Sequence, residues 1–129
     1  MMPLLFLAAA SADLDALDQA VSSCDRAAAN PVFSGEGARR SQFLLDAYRE
    51  QESIVTARAD LSDRRRAARE AGSLKAADDK QMKLEDAALE DRQRALNDKR
   101  MLEGIRQDAM DTMRRYFLNN CPAGKDIGK

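Results

Sequence analysis

The stretch AAREAGSLKAADD, residues 67–79, decides the fold because it separates two long segments that have the apolar periodicity of helices. Gly72 is the residue type that most readily takes the left-handed conformation in which many helices end. Ser73 is a favoured first residue, or N-cap, of a following helix. The sequence therefore predicts that Ala71, Gly72 and Ser73 form the tip of an antiparallel helical hairpin. The alternative is a single helix that runs through the Ala-rich flanks with a kink.

The two arms of this hairpin are expected at residues 37–71 and 74–118, where apolar side chains recur at spacings near three and four. At 1.5 Å per residue, these helices extend for roughly 50 and 65 Å. The expected buried stripe of the first arm is Leu44, Ala47, Ile54, Leu61 and Ala68, widened in its N-terminal half by Phe43, Leu45, Tyr48 and Val55. That of the second arm is Leu74, Ala77, Leu84, Ala88, Ala95, Leu102, Ile105, Ala109 and Tyr116, with Leu89, Leu96, Met110 and Phe117 on an adjacent face. The predicted hairpin is elongated and coiled-coil-like.

A short N-terminal helix is predicted at residues 13–29 and is expected to dock at the base of the hairpin. Its apolar stripe is Leu14, Leu17, Val21, Cys24 and Ala28. We expect Asn30 and Pro31 to end this helix, because the residue before a proline avoids the helical conformation. Residues 31–37 are then expected to form a turn, and residues 119–124 to end the third helix.

The composition favours an all-α protein without a β-sheet. Ala, Glu, Lys, Leu and Arg account for 65 of the 129 residues, which is typical of long helices and coiled coils. At this length we expect one domain, at residues 13–124, followed by a flexible tail at residues 125–129. The 21 Lys and Arg nearly balance the 22 Asp and Glu, which argues against the overall basic character of a nucleic-acid-binding domain.

The sequence contains no His, and this excludes most familiar catalytic centres, from Ser-His-Asp triads to His-ligated zinc and di-iron sites. The side chains considered as exceptions are the carboxylate pairs Glu85-Asp86 and Glu90-Asp91, the tyrosines Tyr48 and Tyr116, and Met101, Met110 and Met113. Carboxylates on an exposed helix face lack the pocket that shifts a pKa. We expect the tyrosines at the edge of the core, and the methionines to fill the core rather than bind copper. No catalytic residue, metal, cofactor or small-molecule substrate is predicted.

The first twelve residues have the features of an export signal. Residues 1–10 form an apolar run, and Ala10-Ser11-Ala12 fits the small-x-small pattern of a cleavage site. The run is shorter than the roughly 20 residues that span a bilayer. We therefore expect a cleaved signal and a mature chain of residues 13–129. The alternatives are a translation start that lies elsewhere and an apolar first turn of the folded protein.

The two cysteines, Cys24 and Cys121, lie near opposite ends of the predicted mature chain. In an oxidising compartment we expect them to form one disulfide, which in the chain-entropy view stabilises the fold by about 4–5 kcal/mol. Two free thiols in a reducing cytosol are the alternative. An excess of Arg over Lys, 15 against 6, together with 23 Ala, indicates a GC-rich bacterial source, so the periplasm or the exterior of a bacterial cell is the expected location.

A basic patch is predicted near the tip of the hairpin. Its residues are Arg58, Arg64, Arg65, Arg66, Arg69 and Lys75. Such a patch is suited to an anionic partner, either a membrane surface or an acidic protein segment. Nucleic acid is disfavoured because no aromatic residues interleave with the arginines. The other interpretation is a solvated helix face whose arginines are neutralised by neighbouring Asp and Glu.

The expected function is a non-catalytic interaction or structural role, in which an extended helical surface binds another protein or a second copy of the chain. One alternative is a periplasmic chaperone-like cradle for unfolded clients. A second is a small enzyme that uses carboxylates and tyrosine.

The predicted architecture resembles two families of periplasmic chaperones in general form. It is similar to the Skp/OmpH type in its long charged helices and to the Spy/CpxP type in size and helicity. The strand-forming segment of the first family is missing. So are the Leu-Thr-x-x-Gln repeats of the second, since residues 61–65, Leu-Ser-Asp-Arg-Arg, depart at the Gln. No functional residue is therefore carried over from either family.

Overall fold

A computed structural model describes the backbone of residues 3–121 and the side chains of residues 13–121. It contains three α-helices, α1 at Pro3–Ser22, α2 at Arg26–Glu70 and α3 at Ala76–Asn120. No strand is present in this part of the chain, so the all-α class is confirmed. The end of the predicted domain and the predicted tail, residues 122–129 together, lie outside the described residues.

Helix α1 includes the segment that the sequence assigns to an export signal. Its backbone remains helical through the predicted cleavage site at residues 10–12. Only the backbone is described for residues 3–12, and residues 1 and 2 lie outside the description. Cleavage after Ala12 therefore stays a prediction. Over the described residues, no helix combines the length and the apolar character needed to cross a membrane.

The first helix ends at Ser22, earlier than the predicted end at residue 29. Cys24 follows it in the left-handed conformation, with φ at 54°. The N–H of Cys24 donates to the Val21 carbonyl at 3.2 Å, and the N–H of Asp25 donates to the Ala20 carbonyl at 2.8 Å. These two hydrogen bonds form the Schellman motif that closes many helix ends. Cys24 thus lies in a turn, and its predicted place on a helical stripe is wrong. Ala28, from the same predicted stripe, is exposed and belongs to the next helix, so its predicted place is wrong as well.

Helix α2 runs through Pro31, so the predicted helix end at Asn30 and Pro31 is wrong. The helix is capped upstream of the proline, where Asp25 Oδ1 accepts a hydrogen bond from the N–H of Ala28 at 3.2 Å. A proline within a helix removes one backbone hydrogen bond. The loss of this hydrogen bond is local. The capped turn before Pro31 and the helical turns after it persist. The predicted turn at residues 31–37 is wrong because α2 includes these residues. The predicted start of the second helix at residue 37 is wrong as well, since α2 begins at Arg26.

The junction between α2 and α3 contains a second Schellman motif. Gly72 has a φ of 64°, so its predicted left-handed conformation is confirmed. The N–H of Gly72 donates to the Arg69 carbonyl at 3.1 Å, and the N–H of Ser73 donates to the Ala68 carbonyl at 3.0 Å. Ser73 therefore closes the end of α2 instead of capping the next helix, and α3 begins at Ala76, later than predicted.

The chain divides into two compact units. In the described part of the chain, unit 1 consists of residues 3–40 and 104–121, and unit 2 is Ser41–Glu103. The buried apolar residues of unit 1 are Leu17, Ala20, Val21, Ala29, Met110, Phe117 and Cys121. In this core the rings of Phe33 and Phe117 lie 5.7 Å apart between centroids. The structure joins Cys24 to Cys121 by a disulfide, the pairing that the sequence predicts.

The buried apolar residues of unit 2 are Ile54 and Leu61 on α2 and Leu89 and Leu96 on α3. Each pair is separated by seven residues, so both members lie on the same face of their helix. The burial of Ile54 and Leu61 agrees with the predicted stripe of the first arm. Leu44, from the same predicted stripe, is 66% exposed, and its predicted burial is wrong. The predicted widening of the stripe by Leu45, Tyr48 and Val55 is wrong as well, since all three are exposed.

The predicted buried face of the second arm is also wrong. Leu84 and Leu102 of that face are 57% and 42% exposed, and Ile105 and Tyr116 are exposed as well. The buried residues are those that the sequence placed on the adjacent face, Leu89, Leu96, Met110 and Phe117. Both faces have apolar residues seven positions apart, but the predicted one contains four alanines. Burying the larger Leu, Met and Phe side chains removes more apolar area from water, which favours the adjacent face.

Candidate interaction surfaces

Part of the predicted basic patch lines a shallow open cavity of about 530 Å³ in unit 2, which we call the basic cavity. Its lining residues are Arg58, Leu61, Ser62, Arg65, Arg66, Arg69, Glu70 and Asp86. Four arginines against two carboxylates leave an excess of positive charge. Within the described part of the chain, no ion pair is recorded for Arg58, Arg65 or Arg69. This cavity therefore presents unpaired cations to whatever enters it.

The other two residues of the predicted patch, Arg64 and Lys75, do not line the basic cavity. Arg64 Nη2 lies 3.0 Å from Glu85 Oε2 on α3, and Arg64 Nε lies 3.0 Å from Asp60 Oδ2 on its own helix. The hydrogen bond to Glu85 is the main reason that the pKa of Arg64 rises above its ordinary value. Lys75 lies in the segment between α2 and α3 and does not line the cavity. The structure thus brings together four of the six predicted residues and leaves Arg64 and Lys75 apart from them.

A second series of residues on α2, which we call the α2 outer stripe, adjoins the basic cavity. Its members are Leu44, Tyr48, Gln51, Val55, Arg58 and Ser62, separated by steps of four and three. Gln51 is half-buried and exchanges hydrogen bonds of 2.8 and 2.9 Å with Gln93 of α3. The other five side chains are exposed. The alternating steps of four and three along the stripe give the seven-residue repeat by which one helix packs along another.

Helix α3 presents a comparable series in unit 2, the α3 outer stripe. Its members are Leu84, Ala88, Asp91, Ala95, Asp98 and Leu102, and all six are exposed. Four of them belong to the face that the sequence predicts to be buried. Asp91 Oδ1 lies 3.5 Å from Arg94 Nη2 of the same helix. For Asp98 no ion pair is recorded among the described residues. This stripe combines apolar residues with acidic ones, whereas the α2 outer stripe combines apolar residues with a basic one.

Unit 1 holds a buried ionic cluster around Glu36, which is 8% exposed. Glu36 Oε1 accepts hydrogen bonds from Arg39 Nη2 at 2.9 Å, from Arg40 Nε at 3.0 Å and from Arg106 Nη1 at 2.9 Å. Arg40 also donates to Asp111 Oδ1 at 2.9 Å. One carboxylate on α2 thus joins two arginines of its own helix to Arg106 of α3.

The electrostatics of this cluster keep Glu36 ionised. Burial by itself raises the pKa of the carboxyl, but hydrogen bonds from Arg39, Arg40 and Arg106 outweigh it and hold the pKa of Glu36 at about 2. The contacts with Glu36 and Asp111 raise the pKa of Arg40. Since both oxygens of Glu36 already accept hydrogen bonds, the cluster is suited to fixing the two helices together rather than to moving a proton.

This cluster is not among the features that the sequence predicts. The only local signal is that Glu36, Arg39 and Arg40 stand at spacings of three and four, at which helical side chains meet. That signal was hidden because residues 31–37 are predicted to be a turn. The contribution of Arg106, seventy residues further along the chain, has no local signal at all.

A smaller cavity of about 310 Å³ also lies in unit 1. It is lined by Arg26, Asn30, Phe33, Ser34, Arg114, Phe117 and Leu118. The guanidinium carbon of Arg26 lies 5.4 Å from the centre of the Phe117 ring, in a cation–π arrangement. Arg26 also donates to the backbone carbonyl of Cys121. These contacts anchor Arg26 beside the disulfide and occupy it structurally.

Over the described residues, no group of three or more His, Cys, Asp or Glu side chains is placed to hold a metal ion. Met110 is buried in the core of unit 1 and Met113 packs against it, as predicted, whereas Met101 is exposed and its predicted core-filling role is wrong. The chain matches no protein-family model, no curated protein and no solved structure. The function must therefore be argued from the surfaces themselves.

Proposed function

We propose that this protein is a non-catalytic, exported interaction module, in which unit 2 is an antiparallel helical hairpin that offers its outer faces to other helices. Two polar contacts between α2 and α3 support the hairpin. Arg92 Nε donates to Glu50 Oε1 at 3.1 Å, and Arg64 Nη2 donates to Glu85 Oε2 at 3.0 Å. The residue number rises along α2 while it falls along α3, as in antiparallel helices.

The single observation that carries the proposal is the exposure of large apolar side chains at regular helical spacing. On α2 these are Leu44, Tyr48 and Val55, at 66%, 64% and 55% exposure. Isolated exposed hydrophobics are ordinary on protein surfaces, whereas a contiguous exposed patch marks a binding site. Steps of four and seven residues place these three on one side of the helix, where a partner helix can cover them together.

Export is the part of the proposal supported by the disulfide and by the predicted signal at residues 1–12. A disulfide persists in oxidising compartments such as the bacterial periplasm and is rare in the cytosol. The basic cavity adds a preference for partners with acidic groups, since Arg58, Arg65 and Arg69 face it without a recorded ion pair.

Site-specific photocrosslinking in the native cell envelope tests the proposal. A photoreactive residue in place of Val55 should give discrete protein adducts, and the combined substitutions Leu44→Ser and Tyr48→Ser should abolish them. A probe in place of Arg49, which is 66% exposed but lies on another side of α2, is the matched control and should give none. Equal labelling from the two positions would contradict an interaction role for this face.

The alternative of a chaperone-like cradle is favoured by the number of exposed large hydrophobics, which are spread over both α2 and α3. A cradle binds many unfolded clients, whereas an interaction module binds a fixed partner. Suppression of aggregation of several unrelated denatured proteins, at equimolar amounts of the chain, would support the cradle. Protection of none of them, combined with discrete adducts at Val55, would support the module.

A further inference from the structure

The two outer stripes of unit 2 have the same spacing. The α2 outer stripe advances from Leu44 to Ser62 in steps of four, three, four, three and four, and the α3 outer stripe advances from Leu84 to Leu102 in the same steps. Every α3 position equals the corresponding α2 position plus 40. Two helical faces with the same 4-3 repeat can lie side by side along their whole length, because each layer of one meets a layer of the other.

The stripes also complement each other in size and charge. Laid parallel in this register, three of the six facing pairs set a large side chain against a small one, and the only cation opposes an anion. The facing pairs are Leu44 with Leu84, Tyr48 with Ala88, Gln51 with Asp91, Val55 with Ala95, Arg58 with Asp98 and Ser62 with Leu102. Both Arg58 and Asp98 are exposed, and neither has an ion pair recorded in the described part of the chain.

From this match we infer that the partner of the α2 outer stripe is the α3 outer stripe of a second copy of the chain, with Arg58 of one copy paired to Asp98 of the other. The inference rests on the proposed interaction function and names its partner. The contact joins unlike surfaces, so it is heterologous, and each unit offers one stripe of each kind.

A membrane surface fits these stripes less well. Helices that lie on bilayers have a wide apolar face with basic residues on the polar side. The α2 outer stripe is narrow and is interrupted by Gln51 and Arg58, and the α3 outer stripe includes Asp91 and Asp98, which anionic headgroups repel. A second helix of complementary charge can pair with either stripe, whereas an anionic lipid surface attracts only the α2 outer stripe.

The test is a charge exchange on the full-length oxidised chain, followed by sedimentation velocity over a range of protein concentrations. Arg58→Glu and Asp98→Lys each place like charges at the contact, and each should weaken self-association about tenfold or more. The double variant Arg58→Glu/Asp98→Lys restores opposite charges and should regain most of the affinity. An equimolar mixture of the two single variants should also associate, since every contact between unlike variants is again attractive.

Two matched controls separate this effect from a general change of charge. The control substitutions are Arg49→Glu and Glu52→Lys. Both residues are exposed on α2, and neither belongs to an outer stripe. Both controls should self-associate like the unmodified chain, and circular dichroism should show unchanged helix content in all variants. Raising the salt from about 0.05 M to about 0.5 M should weaken association of the unmodified chain and of the double variant alike.

Three results would overturn the inference. One is a monomeric unmodified chain at all concentrations, and another is a loss of affinity in the single variants that the double variant does not recover. The third is binding of the unmodified chain to vesicles of phosphatidylglycerol that Arg58→Glu abolishes, which would make lipid the occupant. In each case photocrosslinking from Val55 to other proteins still tests the proposed function separately, because the formation of those adducts does not require self-association.

Discussion

Glu36 Oε1 lies 2.9 Å from Nη1 of Arg106, although the two residues are separated by seventy positions in the sequence. The contact connects α2 to α3 within unit 1 and is largely shielded from water, with the two side chains only 10% and 13% exposed. Removing one member of a shielded ionic cluster leaves the other charges without compensation, which costs more than the cluster itself contributes.

Glu36→Gln should destabilise the protein by about 2 kcal/mol at neutral pH, after allowance for partial solvent screening. The reason is that Arg39, Arg40 and Arg106 keep their charges while their shared carboxylate is lost. Urea unfolding monitored by circular dichroism gives the measurement. Glu52→Gln, at an exposed position of the same helix, should change the free energy of unfolding by less than about 0.5 kcal/mol.

The same carboxylate should make stability depend on pH in the acid range. The pKa of Glu36 is about 2 in the folded state against 4.5 for the unperturbed group, so folding favours the ionised form. Its stabilising contribution is complete above pH 4.5 and is lost as the pH falls toward 2. The unmodified chain should therefore lose more stability between these values than Glu36→Gln does. Parallel pH dependences of the two proteins would contradict the role assigned to Glu36.

The disulfide should affect two measurable properties of the protein, its intact mass and its free energy of unfolding. Intact mass measured without and with reductant should differ by two hydrogens, because reduction opens the bond between Cys24 and Cys121. Cys121→Ser should lower the free energy of unfolding by about 4 kcal/mol under oxidising conditions, since the bond closes a segment of 97 residues. Under reducing conditions the same substitution should have little effect, and a large loss there would mean that Cys121 acts through packing.

Two glycines should respond to alanine with opposite signs. Gly72→Ala should destabilise by about 1 kcal/mol, because an alanine at φ 64° is strained even though the space around the new Cβ is open. Gly35→Ala should stabilise by up to about 1 kcal/mol, since Gly35 lies within α2 and nothing lies within 4 Å of an added Cβ. Thermal unfolding of both variants in the oxidised state gives the comparison. Stabilisation by Gly72→Ala would contradict a left-handed turn between α2 and α3.

A pair of leucines on α3 tests which face is buried. Leu96 is 4% exposed and Leu102 is 42% exposed. Leu96→Ala should cost about 2–4 kcal/mol of stability, because it opens a cavity in the core of unit 2. Leu102→Ala should cost less than about 0.5 kcal/mol but should weaken self-association, since Leu102 belongs to the α3 outer stripe. Equal losses of stability from the two substitutions would contradict the orientation of α3.

The predictions that agree with the structure depend on neighbours in the sequence. The apolar repeat and the scarcity of strand-forming segments indicate helices, and Gly72 marks a turn because its backbone freedom is a local property. The predicted break at Pro31 failed because a proline only biases its neighbourhood, while an upstream cap at Asp25 and the helical turns that follow decide the outcome.

The basic patch was found only in part for a similar reason. Arg58, Arg65, Arg66 and Arg69 are close in sequence and lie on one helix, so their common location follows from helical geometry. Arg64 is equally close in sequence but reaches Glu85 on α3, and that contact depends on how the two helices pack. Sequence spacing places a residue on a helix, whereas the partner helix decides which charges remain unpaired.

Three features follow from the sequence alone, namely the helical class, the end of α2 and the two cysteines that are available to pair. Each of them depends on local propensity or on a simple count. Only the tertiary structure decided which of two apolar faces of α3 is buried, and that Glu36 gathers three arginines. Both faces repeat every seven residues, so periodicity cannot separate them. The choice is made by the volume of the side chains that a neighbouring helix can cover, and packing of that kind joins residues that are far apart in the chain.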